Sequence, residues 1–367
     1  MFLEQALGKW KVSGKEDVAI SGLKTVSGVM LPLVHRIQEN ISRLVHQAVN
    51  KRAKEDPVGL EDFVGSTIAE VFGLILFGDM AHDKVIAKHL GSYSRKIEGI
   101  LGYGMVMGVI PFVGPALGRW IVTWLSPTWK ARRDIYSAVV SRQAQPKRQS
   151  DCVMDILLDE GHSPSAIANA LVLMIFATVG STTRAAQQHL IHLMSLPHFI
   201  PLLRSHLDAV LETIPKDDFG NPIITKETPI PAMASALKES LRHFTHRLEG
   251  WRKLDYDLPL LHGGHVPKHS IIAIDFPNLH FDQDAYGSDA HQYLPLRFMD
   301  ATTSTKNFLV FGFGKHACPG RHLSSQLIVL FMSALLARHD PTAPGVSFDT
   351  NPYFKDIQIH LSPRQDI

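Results

Sequence analysis

Between residues 311 and 320 the chain reads Phe-Gly-Phe-Gly-Lys-His-Ala-Cys-Pro-Gly, and no other run carries so strong a chemical signal. Gly312, Gly314 and Gly320 allow a tight loop and the close approach of a flat cofactor. Cys318 stands at the entrance of a helix, because Leu323, Leu327, Leu330, Ala334 and Leu335 follow it at helical spacing. The positive end of that helix dipole and its unpaired amides favour an anionic sulfur, which is a strong electron donor to a bound metal. An ordinary buried cysteine would account for the sulfur but not for Phe311, the three glycines and Pro319. The second cysteine, Cys152, lies far away in sequence, and two thiols do not make a disulfide scaffold of a 367-residue chain.

Two further groups of residues have chemical spacing. Glu239 and Arg242 are three apart, share a helix face and can pair. Taken alone this is an everyday surface ion pair. Thr178, Ser181, Thr182 and Thr183 form a hydroxyl run in an uncharged stretch of helix, where back-bonding to the preceding turn with a slight bend is the plain expectation. The twenty histidines are scattered, and none has the HExxH spacing of a helical metal site.

The elements that must position these residues are mostly helices. Leu31 to Ala53, Leu60 to Phe77 and Ala232 to Phe244 have helical periodicity, and the second closes on Gly78. The longest helix runs from Pro164 to Leu196, with Ser163 as N-cap and Pro197 as stop. Alternating apolar residues from Leu254 to Ile274 flank His262-Gly263-Gly264, the pattern of a hairpin. Pro164 to Thr183 and Gly99 to Gly118 are uncharged over a membrane-spanning length. The first reads as a core helix. The second holds six glycines, Pro111 and Pro115, so it reads as short helices and an apolar loop. With Trp120, Trp124 and Trp129 and their basic neighbours, residues 99–129 suit a surface dipping into a bilayer interface, or an ordinary helix pair packed on the core. The chain opens with no secretory signal. Hydrophobic residues make up 45% and charged residues 20%, and the net charge is +2, with no basic stripe that would suit nucleic acid.

The loop around Cys318 resembles the heme-binding loop of cytochromes P450, a pattern of Phe, two residues, Gly, three residues, Cys, one residue, Gly. Phe311, Gly314, Cys318 and Gly320 fill it, and His316 takes the position that contacts a heme propionate. Glu239-Ser240-Leu241-Arg242 resembles the family's Glu-x-x-Arg helix. Tyr293 to Phe298 is similar to the segment whose arginine, here Arg297, joins that pair in a charge triad. Arg252 stands where many relatives carry a second propionate-binding arginine. The long helix resembles the one that crosses the distal face of the heme, where an acid and a threonine guide protons to iron-bound oxygen. Anchored on Pro197, Leu190 and Leu193, the comparison sets Gly180 at the acid position and Ser181 at the threonine, with Thr182 next. Slid so that Gly180 matches the family's glycine, it sets Thr182 at the acid and Thr183 at the threonine, and no carboxylate appears in either register.

The resemblance implies a mainly α fold with a minor β-sheet, a single cytochrome P450-like domain over 1–367, shortened at its N-terminus by an anchor, most of a small sheet and the first helices. It implies heme b ligated through iron by Cys318, with His316, Arg252, Phe311, Gly314 and Gly320 around it and Ser181 and Thr182 as candidate catalytic hydroxyls. It further implies monooxygenation of a small lipophilic, secondary-metabolite-like substrate with electrons from NADPH-cytochrome P450 reductase, which Lys315 and Arg321 would face. Peroxide-driven or non-oxygenating chemistry (dehydration, rearrangement, ring closure), a truncated non-catalytic homologue and a heme-binding sensor are the alternatives. The expected location is intracellular, at the endoplasmic reticulum surface if an anchor precedes this chain and cytoplasmic otherwise. Ile110, Phe112 and Phe176 are candidate pocket walls, and core packing explains each of them equally well.

Overall fold

The computed structural model describes residues 18–91, 127–145, 151–244, 250–300, 306–314, 317–350 and 356–365, with the backbone alone for 18–27, 127–128 and 250–253. Helices dominate, as their periodicity requires. In chain order the long ones are α1 (Val18–Arg52), α2 (Leu60–Phe77), α3 (Pro127–Gln143), α4 (Val153–Asp159), α5 (Pro164–Ile175), α6 (Ser181–Ser195), α7 (Ile200–Leu211) and α8 (Pro231–Phe244). Two short helices, α9 (Phe276–His280) and α10 (Gln283–Tyr286), lead into an irregular stretch, and α11 (Arg321–Leu336) follows Cys318. The strands are few. Leu258–Pro259 pairs with His265–Val266 across Gly263 and Gly264, both at positive φ, and Gly250–Lys253 pairs with Ile271–Ile274. The expected hairpin is thus two nested ladders. A third sheet joins Val58–Gly59, Gln358–Pro363 and His339–Thr342.

Helix α1 begins at Val18, earlier than Leu31, where periodicity alone would start it. Pro32 lies inside the helix. It removes one N–H, the one that would bond the Gly28 carbonyl, and the helix runs on through that gap.

Ser163 caps α5 as expected, its side chain accepting from the Ala166 N–H at 3.3 Å, with Pro164 in the first turn. The long helix then opens into one wide π-turn at Phe176–Gly180 before resuming as α6. Thr178 Oγ1 donates to the Met174 carbonyl and Ser181 Oγ to that of Ala177, both at 2.7 Å. Such bonds compete with backbone N–H groups for the same carbonyls, which gives the turn a local cause. The whole helix is long and apolar enough to cross a membrane, but 67% of its most apolar window is buried inside the protein.

Buried side chains from α1, α2, α5, α6, α8 and α11 form one contiguous apolar cluster. Phe63 on α2 packs against Phe331 on α11, ring centroids 5.5 Å apart, and both are fully buried. Deleting a buried aromatic ring removes transfer energy and leaves a cavity. Phe331→Ala should therefore cost about 3–5 kcal/mol, read as a lower midpoint in urea unfolding.

Candidate active site

The base of the site is a fully buried ion cluster. Glu239 and Arg242 face inward on α8, and neither side chain has solvent exposure. Arg242 donates through Nη2 to Glu239 Oε1 at 2.7 Å and through Nε to Oε2 at 2.9 Å. Arg297 Nε adds a third bond to Oε1 at 3.1 Å, and the Leu294 N–H a fourth at 3.0 Å. The structure thus brings the three expected triad residues together. Burial alone would raise the carboxyl's pKa; the bonds from Arg242 and His243 outweigh it and hold Glu239 at about 2.

The remaining guanidinium protons reach backbone. Arg242 Nη1 donates to the carbonyls of His280 (2.7 Å) and Ala290 (2.6 Å). Arg297 donates to Tyr286 O (2.9 Å) and Asp289 O (2.8 Å), and to the Asp289 carboxylate at 2.8 Å. His280 carries the cluster onward. Its Nε2 accepts the Leu309 N–H at 3.0 Å, which requires the Nδ1–H tautomer, and burial lowers the ring's pKa to about 4. Leu309 O then accepts from Gly312 N (2.8 Å), and Phe311 O from Cys318 N (2.7 Å). An unbroken path through the Arg242 guanidinium, the His280 imidazole and backbone groups therefore connects Glu239 to the cysteine loop.

In that loop Gly312 and Gly314 have φ of 69° and 59°, a region L side chains rarely adopt. A Cβ on Gly314 would meet nothing within 4 Å, so the loop presents open backbone there. Cys318 is exposed, two residues ahead of Gly320, which caps α11. Across the core, α6 is buried on most faces, but Ser181 at its start and Ala177 in the wide turn before it are exposed. Thr182 is buried, and its Oγ1 lies 3.2 Å from Ser324 Oγ on the first turn of α11. Thr183 Oγ1 is buried with no hydrogen-bond partner among the described residues. Gly180 closes the wide turn, and none of residues 177–183 is a carboxylate.

Several expected site residues fall elsewhere. His316 and Lys315 lie outside the described residues, as do Ile110, Phe112 and residues 99–126 of the expected interfacial region. The backbone of Arg252 pairs with Ile272 in the ladder of Gly250–Lys253 with Ile271–Ile274; its side chain is not described. From the interfacial region Trp129 is described, 62% exposed on the first turn of α3 with the Arg133 guanidinium 5.0 Å from its ring. Phe176 is half-buried in the wide turn.

A family model for cytochrome P450 matches residues 21–365. The chain belongs to the cytochrome P450 family. Among curated relatives, cytochrome P450 monooxygenase 151 of Postia placenta is 25% identical over 85% of this chain and 66% of its own. A fusicocca-1,10(14)-diene-8beta,16-diol C-9 hydroxylase of Phomopsis amygdali is 26% identical over 84% and 67%. Cytochrome P450 monooxygenase pyr3 of Aspergillus fumigatus is 26% identical over 57% of this chain but only 42% of its own length. The match therefore spans less than half of pyr3 and about two thirds of the other two relatives.

P450 is a heme-thiolate family, its iron ligated by cysteine, and the residues present here fit that group. One exposed sulfur is available at Cys318, beside glycine backbone that leaves room for a flat ring. Cys152 is no competitor, since it is 1% exposed and burial pushes its thiol up to about 12. Among the described residues no cluster of three or more His, Cys, Asp or Glu could hold a metal, whereas an axial thiolate needs one donor. Two contributors are absent from the sequence reading, His280 and Ser324. A lone histidine among twenty carried no signal, because its partners are backbone groups.

His280→Phe removes the acceptor for Leu309 N–H inside the core. It should cost about 1–3 kcal/mol and raise hydrogen exchange at Leu309, with His280→Gln recovering part of both. Acidification should act first through histidines. His46 and His280 are held near 4 and His189 near 3, chiefly by burial, so below 6.5 the unfolded chain takes up protons first. Their contribution is complete above about pH 6.5 and is lost as pH falls toward those values, each at about 1.4 kcal/mol per pH unit. Glu239, also depressed, loses its contribution later, between its ordinary 4.5 and about 2. Urea midpoints measured from pH 8 to 4 should fall from just below 6.5; a flat profile down to pH 5 would contradict this.

Proposed function

We propose that the protein is a heme-thiolate monooxygenase acting on a small lipophilic compound of the secondary-metabolite kind. The observation that carries this reading is the exposed Cys318, held in a glycine loop at the head of α11 and tied back to a buried ion cluster. When bound, heme supplies oxygen activation, with the thiolate pushing electron density toward O–O cleavage. The net reaction inserts one oxygen atom into a C–H bond and reduces the other to water. It consumes two protons and two electrons, the latter from NADPH through a reductase. Intracellular operation, at the endoplasmic reticulum surface where an anchor precedes the chain, accords with that partner.

The protein's own residues divide the work. The backbone at Gly312 and Gly314 lets the cofactor approach, and the Cys318 amide bond to Phe311 O fixes the ligand's turn. Ser181 Oγ, exposed and donating to Ala177 O, keeps lone pairs with which to accept a bond from water. A second reading has one specific observation in its favour. None of residues 177–183 is a carboxylate, which suits peroxide-driven or non-oxygenating chemistry that needs no acid in a proton relay.

The test is spectroscopic. Heme-loaded protein reduced under carbon monoxide should give a thiolate-type Soret band, and Cys318→Ala should abolish it while circular dichroism stays unchanged. Folded wild-type protein without the band would refute the assignment. With the band present, turnover of lipophilic substrates with NADPH and reductase supports monooxygenation. Turnover with peroxide alone favours the second reading.

A further inference from the structure

We propose that the hydroxyl pair Thr182–Ser324 is a positioning latch. It would set the register of the helix that crosses the site against the helix that carries the cysteine ligand. This rests on the heme-thiolate reading above and adds to it two residues that act through their neighbours. The two oxygens lie 3.2 Å apart although the residues are 142 positions apart in sequence. Thr182 is only 1% exposed, and it immediately follows Ser181, the exposed hydroxyl of α6.

Ser324 is tied to the ligand by one helical turn. Its N–H donates to Gly320 O at 2.9 Å, and Gly320 follows Cys318 by two residues, whose own N–H is fixed to Phe311 O. Any slide of α6 along α11 therefore moves Ser181 relative to the Cys318 sulfur. The apolar packing around the pair resists separation but not sliding, because dispersion contacts have little directionality. A hydrogen bond has preferred distance and angle, so it selects one register. The wide turn at Phe176–Gly180 makes the choice consequential. The helix is least regular immediately before Thr182, and a fixed point on its C-terminal side stops the irregularity from shifting the residues beyond it.

Partners on the other faces of α6 do not duplicate this. His189 Nδ1 bonds Ser240 Oγ on α8 at 2.7 Å, and Gln187 bonds Glu61 on α2 at 2.6 Å. Both lie farther along α6 and face different helices.

The experiment uses the heme-loaded protein with Thr182→Val, Ser324→Ala, the double variant and Thr182→Ser. Two quantities are read: the rate of heme loss to excess apomyoglobin and the Soret position of the ferric form. Each of the first two variants should speed heme loss about two- to tenfold, the worth of one such bond, and shift the ferric Soret maximum. The double variant should be no worse than the poorer single, as expected of two ends of one interaction. Thr182→Ser keeps a hydroxyl and should restore both readouts. Wild-type spectra and heme retention in both Thr182→Val and Ser324→Ala would overturn the latch while leaving the heme assignment intact. So would lower thermal stability with an unmoved Soret band, which marks a purely structural bond. Should Thr182→Val fail to fold, Ser324→Ala reads the same bond from the other helix. A wild-type protein lacking the thiolate band would remove the heme assignment and the latch with it.

Discussion

The rest of the site depends on one carboxylate with no access to water. Burying Glu239 costs several kcal/mol unless its charge and lone pairs are fully met, and here two guanidinium groups and a backbone amide meet them. The two arginines have more donors than one carboxylate can use. The surplus draws in the carbonyls of residues 280, 286, 289, 290 and 292. Residues 276–297 have little regular structure to satisfy those carbonyls themselves, so the cluster does for them what a helix or sheet does elsewhere. Replacement by apolar side chains of equal volume could match it in stability, but such side chains would leave several carbonyls buried without partners.

From this fixed point the cysteine loop is reached through His280. His280 suits the task because one residue joins two levels of organisation: its backbone carbonyl accepts a hydrogen bond from Arg242, and its Nε2 accepts one from the Leu309 N–H. Burial keeps the ring neutral, and a neutral ring is the only form in which Nε2 can accept. Helix α11 has separate support. Phe331 against Phe63 holds its middle, while Thr182 meets its first turn. The cysteine thus sits between a polar anchor on one side and an apolar one on the other.

What could be read from the sequence was what side chains do to one another or to periodicity. Cys318 among its glycines, the Glu239–Arg242 spacing and Arg297 were legible because residue type and interval carry the chemistry. Most helices were legible because apolar residues recur on one face. Residues whose partners are backbone atoms were not. His280 looks like any other histidine until the Leu309 amide is placed beside it. Helix α1 starts at Val18, ahead of the Leu31 that periodicity suggested. The run of hydroxyls at 178–183 announced back-bonding, yet its consequence, a full wide turn instead of a slight bend, depends on how many carbonyls are claimed at once.

That wide turn also constrains what the site can do with protons. Ser181 Oγ already donates its one hydrogen to Ala177 O, so it can accept from a water but not give to one while the bond stands. Giving up its hydrogen would release the Ala177 carbonyl to an N–H farther along and tighten the helix toward ordinary α geometry. In a relative with an acid one residue earlier, the carboxylate can relay without this. Here position 180 is glycine, with no side chain to relay and no Cβ to resist a change of backbone shape. Were Ser181 to pass a proton, the transfer would therefore be coupled to the opening and closing of one helical turn. Under the proposed latch, the contact of Thr182 with Ser324 would confine that motion to the part of the helix that precedes it.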